Sequence, residues 1–138
     1  MLVYFLLKDQ RSFRQLQCYF IIVQLLATLV YLIYPSCQDL RPAVFPRENL
    51  LTGAVGLLYR IDTNTNVCPS LHVAYSLGIA SVWIKEKDVS RLLKAGIVIF
   101  VISVCLSTAF IKQHSVLDGF AAIPICMIPE ILLFKDYY

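Results

Sequence analysis

Four long apolar runs dominate the chain: Cys18 to Tyr34, Ser70 to Ile84, Leu92 to Ile111 and Ser115 to Phe134. A helix needs about 17 to 25 such residues to cross a hydrocarbon core. Inside that core the backbone must hydrogen-bond to itself, which makes helices the natural form of these runs. The second run is short by this measure, so it must be extended by interfacial residues or packed deeply among the others. Of the 138 residues, 59% are hydrophobic, well above the roughly 45 to 50% of soluble domains. The expectation is an all-α fold, a polytopic transmembrane helix bundle forming one membrane-embedded domain over residues 1 to 138, with about four spans. A fifth apolar piece, "MLVYFLL", ends at Lys8 and reads as the last turns of an earlier spanning helix, so the domain is expected to be truncated at its N-terminus. Lys8, Arg11 and Arg14 ahead of an apolar run would also suit a secretory signal. However, "YPSC" after the run lacks the small-x-small cleavage pattern, and the run is read as an anchor.

If the four runs alternate in direction, the basic residues divide unequally between the two sides. Lys8, Arg11, Arg14, Lys85, Lys87, Arg91, Lys94 and Lys135 fall on one, and Arg41, Arg47, Arg60 and Lys112 on the other. The richer side should be cytoplasmic. The net charge of +3 is small, and its twelve Lys and Arg form no single basic stripe, so nucleic acid is set aside as a partner. The long outer connection, 35 to 69, carries "RENLLTGAVGLLYRID", where Leu50, Leu51, Val55 and Leu58 recur at helical spacing. That spacing predicts an amphipathic helix on the outer interface, closed by the polar turn "DTNTN".

The same outer side receives both histidines of the chain. In "CPSLHVAYS", Pro69 and Ser70 precede a helical apolar run, with Ser70 as N-cap and the next N–H groups left without intrahelical partners. Such a helix start suits a phosphate, and His72 in its first turn could protonate an oxygen leaving phosphorus. The plainer alternative is a cap and an interfacial histidine with its tip in water. In "STAFIKQHSVLDGF", Ser115 and Asp118 have the form of a capping box. Alternatively, Asp118, four residues after His114, accepts an imidazole N–H and fixes the tautomer, freeing the other ring nitrogen as a nucleophile for a phosphohistidine intermediate. Lys112 offers a cation for phosphoryl oxygens, or snorkels to the interface. Two histidines and two aspartates, Asp62 being the second, could also hold a metal, but no zinc-type spacing is present, and no metal or cofactor is called for. Of the five cysteines, only Cys37 and Cys68 fall on the outer side, either as free thiols or as a bridge between the ends of the outer loop.

These residues resemble the type 2 phosphatidic acid phosphatase superfamily, most closely its inositol phosphorylceramide synthase-like branch. "PSLH" at 69 to 72 is similar to the family's second motif, usually Pro-Ser-Gly-His. "ST" at 107 and 108 with "KQHSVLD" at 112 to 118 resembles the third motif in that branch's form. The resemblance implies a six-helix membrane bundle with a metal-independent site at its outer face, acting on a membrane lipid substrate that carries a phosphate ester or diester. It makes His114 the nucleophile, Asp118 its orienting partner, His72 the general acid and Ser70 a phosphate ligand, with Ser107 matching the serine of the third motif. The arginine that follows this serine in the family's phosphatases is Thr108 here, so Lys112 would carry that charge. The first motif is half present: "LRP" supplies Arg41 and Pro42, and Tyr34 stands at the lysine position; the resemblance implies that Arg41 and Ser107 contact phosphate alongside Ser70 and Lys112. Transfer of a phospho-headgroup, hydrolysis of a lipid phosphate, and a non-catalytic membrane role for a shortened bundle are the three readings this leaves.

Overall fold

The computed structural model describes residues 2 to 135. Six helices follow in order: α1 Leu2–Lys8, α2 Gln10–Ile33, α3 Leu50–Ile61, α4 Leu71–Lys85, α5 Arg91–Phe110 and α6 Val116–Leu133. Among the described residues no strand forms, and Cys37 and Thr65 make one isolated antiparallel bridge. Among the described residues, three helices, α2, α5 and α6, are long and apolar enough to cross a membrane. The chain is therefore an all-helical protein with the character of an integral membrane protein.

α4 is only 15 residues long, yet it is the centre of the bundle and packs against α2, α5 and α6. Seven of its residues are buried, among them Val73, Ala74, Gly78 and Trp83. Its shortness matches its place: a helix walled in by neighbours has little lipid-facing surface of its own. One seam lies against α2, whose buried residues Ser12, Leu16, Tyr19, Val23 and Ala27 recur at three- and four-residue spacing along one face. Gly78 is what lets that seam close, because a Cβ there would run into the Tyr19 ring. Ile21, Leu25, Leu29 and Leu32 on the other face of α2 stay exposed, as a lipid-facing surface should.

"MLVYFLL" does not run straight on into α2. Asp9, in extended backbone, ends α1 and caps α2, its carboxylate accepting from the N–H groups of Arg11 and Ser12. α1 turns so that Tyr4 stacks on Trp83 at 5.0 Å between ring centroids, with Phe5 against the same indole at 4.8 Å. This end of the bundle is further tied by Gln15 Nε2, which donates to Leu133 O at 2.9 Å, while Ser12 Oγ donates to Asp9 Oδ2 at 2.5 Å and lies 3.2 Å from Glu86 Oε2.

At the opposite end, the expected amphipathic helix forms as α3, opened by a reciprocal capping box between Asn49 and Thr52. None of its residues is buried, and Leu50 and Leu51 are exposed, so its apolar face is not used by the bundle. The two ends of the outer loop are held by hydrogen bonds: Gln38 N–H donates to Asn64 O, Asn66 N–H to Ser36 O, and Cys68 N–H to Ser36 Oγ. Cys37 and Cys68 are free thiols rather than a bridge.

Candidate active site at the two histidines

The link between α5 and α6 is shaped by how α5 ends. Gln113 N–H donates to Thr108 O at 2.9 Å and Lys112 N–H to Ala109 O at 3.0 Å, with Lys112 in left-handed backbone at φ 55°. This is the Schellman arrangement, whose left-handed position is usually filled by glycine. It turns the chain within five residues and delivers His114, 8% exposed, to the start of α6. Ser115 then caps α6 through the reciprocal box with Asp118.

α4 brings the second histidine. Ser70 caps that helix, its Oγ accepting from Val73 N–H at 3.4 Å, and its own N–H donates to Asp118 O at 3.0 Å. The starts of α4 and α6 are thereby joined, and His72 Nδ1 comes to 3.2 Å from His114 Nε2. His72 is exposed and His114 is buried, so the pair has an open side and a closed side.

On the closed side, His114 Nδ1 lies 2.9 Å from the Val67 carbonyl oxygen. A carbonyl only accepts, so Nδ1 carries the hydrogen and the neutral ring presents a lone pair on Nε2, toward His72. Burial, and then the neighbouring His72, push the His114 imidazole below its ordinary pKa, against the opposing effects of Val67, Asp118 and Asp62. Both effects favour the neutral ring, whose Nε2 faces the exposed His72.

The group within hydrogen-bond distance of His114 Nδ1 is the Val67 carbonyl, not the expected Asp118 carboxylate. Asp118 Oδ2 stands 3.9 Å from His114 Nδ1, beyond hydrogen-bond reach, and accepts from Ser115 N–H at 2.7 Å. Its carboxylate still acts on the ring through space, at a distance where opposite charges favour the imidazolium.

Arg41 and Ser107 are placed differently from their expected roles. Arg41 donates to Tyr59 O and Asp62 O at 3.2 and 2.6 Å, and pairs with the Asp62 carboxylate at 3.2 Å. Its guanidinium therefore closes the C-terminal end of α3 rather than facing the histidines. Ser107 is exposed and its hydroxyl returns to Val104 O within α5. Lys112 is exposed on the link itself. Ser70 is fully buried and acts as the helix cap, so any phosphate contact from this segment falls to the free N–H groups beyond it.

Two residues without a role in the sequence reading hold the link in position. Gln113, 6% exposed, donates from Nε2 to Asp62 Oδ2 at 3.1 Å, and its carbonyl accepts from Gln38 Nε2. Asp62 therefore joins Arg41 to the residue beside His114. Tyr59 adds a further tie, donating to Ile111 O at 2.6 Å. Among the described residues, no group of three or more His, Cys, Asp and Glu side chains is assembled as a metal site. No family model, curated protein or solved structure matches the chain.

Proposed function

We propose that the chain is an integral membrane phosphoryl-transfer enzyme of the type 2 phosphatidic acid phosphatase kind, acting on lipid phosphates or phospho-headgroups through phosphohistidine at His114. The observation that carries this reading is the histidine pair: Nδ1 of His114 is engaged by Val67 O, and Nε2 meets His72 at 3.2 Å. A neutral imidazole with a fixed tautomer is an activated nucleophile, and an exposed second imidazole beside it is a candidate proton donor. The excess of basic residues at the opposite end of the bundle supports a non-cytoplasmic face for this site.

In the first half-reaction, the Nε2 lone pair of His114 forms the bond to phosphorus while the ester P–O bond breaks, and His72 gives its proton to the departing oxygen. In the second, water or an alcohol attacks phosphorus, His72 takes up the proton, and the N–P electron pair returns to Nε2. Charge on the phosphoryl oxygens is met by Lys112 and by the first-turn N–H groups of α4, which no intrahelical carbonyl can reach. Asp118, 3.9 Å from Nδ1, offsets the positive charge of the phosphorylated ring.

The test is incubation of the full chain, in proteoliposomes, with a lipid labelled at phosphorus, with and without an acceptor alcohol or ceramide. An acid-labile, base-stable phosphoenzyme that disappears in His114→Asn is expected. Product carrying the label on the acceptor identifies a transferase, and free phosphate alone identifies a hydrolase. If every lipid phosphate is left intact by folded wild-type protein, the catalytic reading is lost and the bundle is a non-catalytic membrane protein.

A further inference from the structure

At the end of the bundle away from the histidines, a cavity of about 390 Å³ opens between α2, α4 and α6. Its walls are apolar, with Leu77 of α4 facing Ile123 and Met127 of α6. Ile123 and Met127 are 44% and 54% exposed, so the cavity is open on the side where lipid would lie. At its polar end, Ser81, Lys85 and Glu130 come together. Lys85 is paired with Glu130 and also donates to Ser81 Oγ at 2.7 Å, while Ser81 Oγ lies 2.6 Å from the other carboxylate oxygen. Lys85 is the last residue of α4, which sets this cluster at headgroup depth, with the apolar walls running inward by about 12 Å from Lys85 to Leu77.

We infer that this cavity is a binding site for a membrane lipid with a zwitterionic headgroup that bears a phosphodiester and a primary ammonium. Ionisable side chains in membrane-spanning helices are costly and are rarely kept without a task. The pair here borders a cavity and not only packed side chains. Its charge selects the ligand: a bare phosphate would meet the Glu130 carboxylate, and a bare amine would meet the Lys85 ammonium. A headgroup carrying both charges exchanges the internal pair for two charge-assisted contacts, phosphate on Lys85 and ammonium on Glu130, and leaves neither side chain unpaired. The ammonium must be primary, since a quaternary one has no N–H to donate. The acyl chain then lies along Leu77, Ile123 and Met127. This site needs only that the bundle sits in a membrane and is independent of any chemistry at His114.

The experiment compares phosphatidylethanolamine, phosphatidylcholine, phosphatidylglycerol and diacylglycerol with identical chains, each added to the full chain in detergent. Retention of bound lipid is read by native mass spectrometry, alongside thermal melts. Phosphatidylethanolamine should be retained about tenfold over phosphatidylcholine, the worth of one charge-assisted hydrogen bond, and should raise the melting temperature by the largest amount. Glu130→Gln keeps the shape and should bring that preference to within about twofold by the same reasoning. His114→Asn should leave it intact. Equal retention of phosphatidylcholine or diacylglycerol by wild-type protein, or an unchanged preference in Glu130→Gln, would reduce the pair to a fastener between α4 and α6 and overturn the site.

Discussion

Replacing Asp118 with asparagine separates two ways of holding His114. If the carboxylate fixed the imidazole tautomer, the substitution would let the ring flip its hydrogen to Nε2, a loss worth about ten-thousand-fold in a comparable triad. With Val67 O on Nδ1 at 2.9 Å, the tautomer should survive. What changes is the charge 3.9 Å away. At that separation an ion pair is worth about 1 kcal/mol in water-like surroundings and about 4 kcal/mol at an effective dielectric of 20. Removing the negative charge disfavours the imidazolium, so the His114 midpoint, already below the ordinary value because of burial, should fall further. The asparagine oxygen can still accept from Ser115 N–H, so the cap of α6 is kept. The assay is long-range proton–nitrogen correlation on protein labelled at histidine nitrogen, followed as a function of pH. A His114 ring carrying its hydrogen on Nε2 in the variant, or an unmoved midpoint, would refute the assignment of these two roles.

Other substitutions test the rest of the frame. Lys112 occupies a left-handed position, so Lys112→Gly should hold or raise stability by up to about 1 kcal/mol, yet lower turnover about a hundredfold if its ammonium meets the phosphoryl oxygens; Lys112→Arg should recover much of the rate. Gly78→Ala should cost about 1 to 3 kcal/mol through the clash with Tyr19, and Tyr19→Leu in the same chain should relieve it, read by thermal melts. Because the folded pKa of His114 is depressed, its contribution to stability is present above about pH 6.5 and is lost as pH falls through the folded value. Melting temperature should therefore decline on acidification, less steeply in His114→Gln. Asp62→Ala should loosen the link by releasing Gln113 and Arg41 together, with an effect on turnover that is non-additive with Arg41→Ala.

Periodicity and length carried most of the architecture, because in an apolar solvent each run must become a helix whatever its neighbours do. The Ser70 and Ser115 caps were legible for a similar reason: they involve bonds within three residues. The site was legible only as far as such local rules reach. Asp118 sits four residues from His114, which allows a contact on a continuous helix, but Ser115 starts α6 one residue after the histidine. His114 lies outside the helix, in a link turned by Lys112, and its Nδ1 finds a carbonyl 47 residues away. Arg41 is expected beside a phosphate from its motif, whereas its partners are the carbonyls at the end of α3 and Asp62. No local pattern encodes those long-range contacts. Gln113 and Asp62, 51 residues apart, belong to the same class.

The closeness of the two histidines also constrains how any phosphoryl transfer could begin. With 3.2 Å between His72 Nδ1 and His114 Nε2, no phosphorus atom fits between them. In-line attack requires Nε2 at about 3 Å from phosphorus and a donor within about 3 Å of the oxygen on its far side. The two nitrogens must then stand roughly 6 Å apart or more. His114 is buried, with Nδ1 engaged by Val67 O, and is the fixed member. His72 is exposed on the first turn of α4, so its side chain is the one that solvent-side space would let turn aside. In the pair as it stands, His72 Nδ1 and His114 Nε2 occupy each other. Substrate phosphate would have to displace His72 before His114 becomes a nucleophile, and that displacement would carry the proton donor to the side where the leaving oxygen must depart. Under the proposed chemistry, such a pair would keep its nucleophile covered until a ligand with both a phosphorus to accept attack and an oxygen to accept a proton is present.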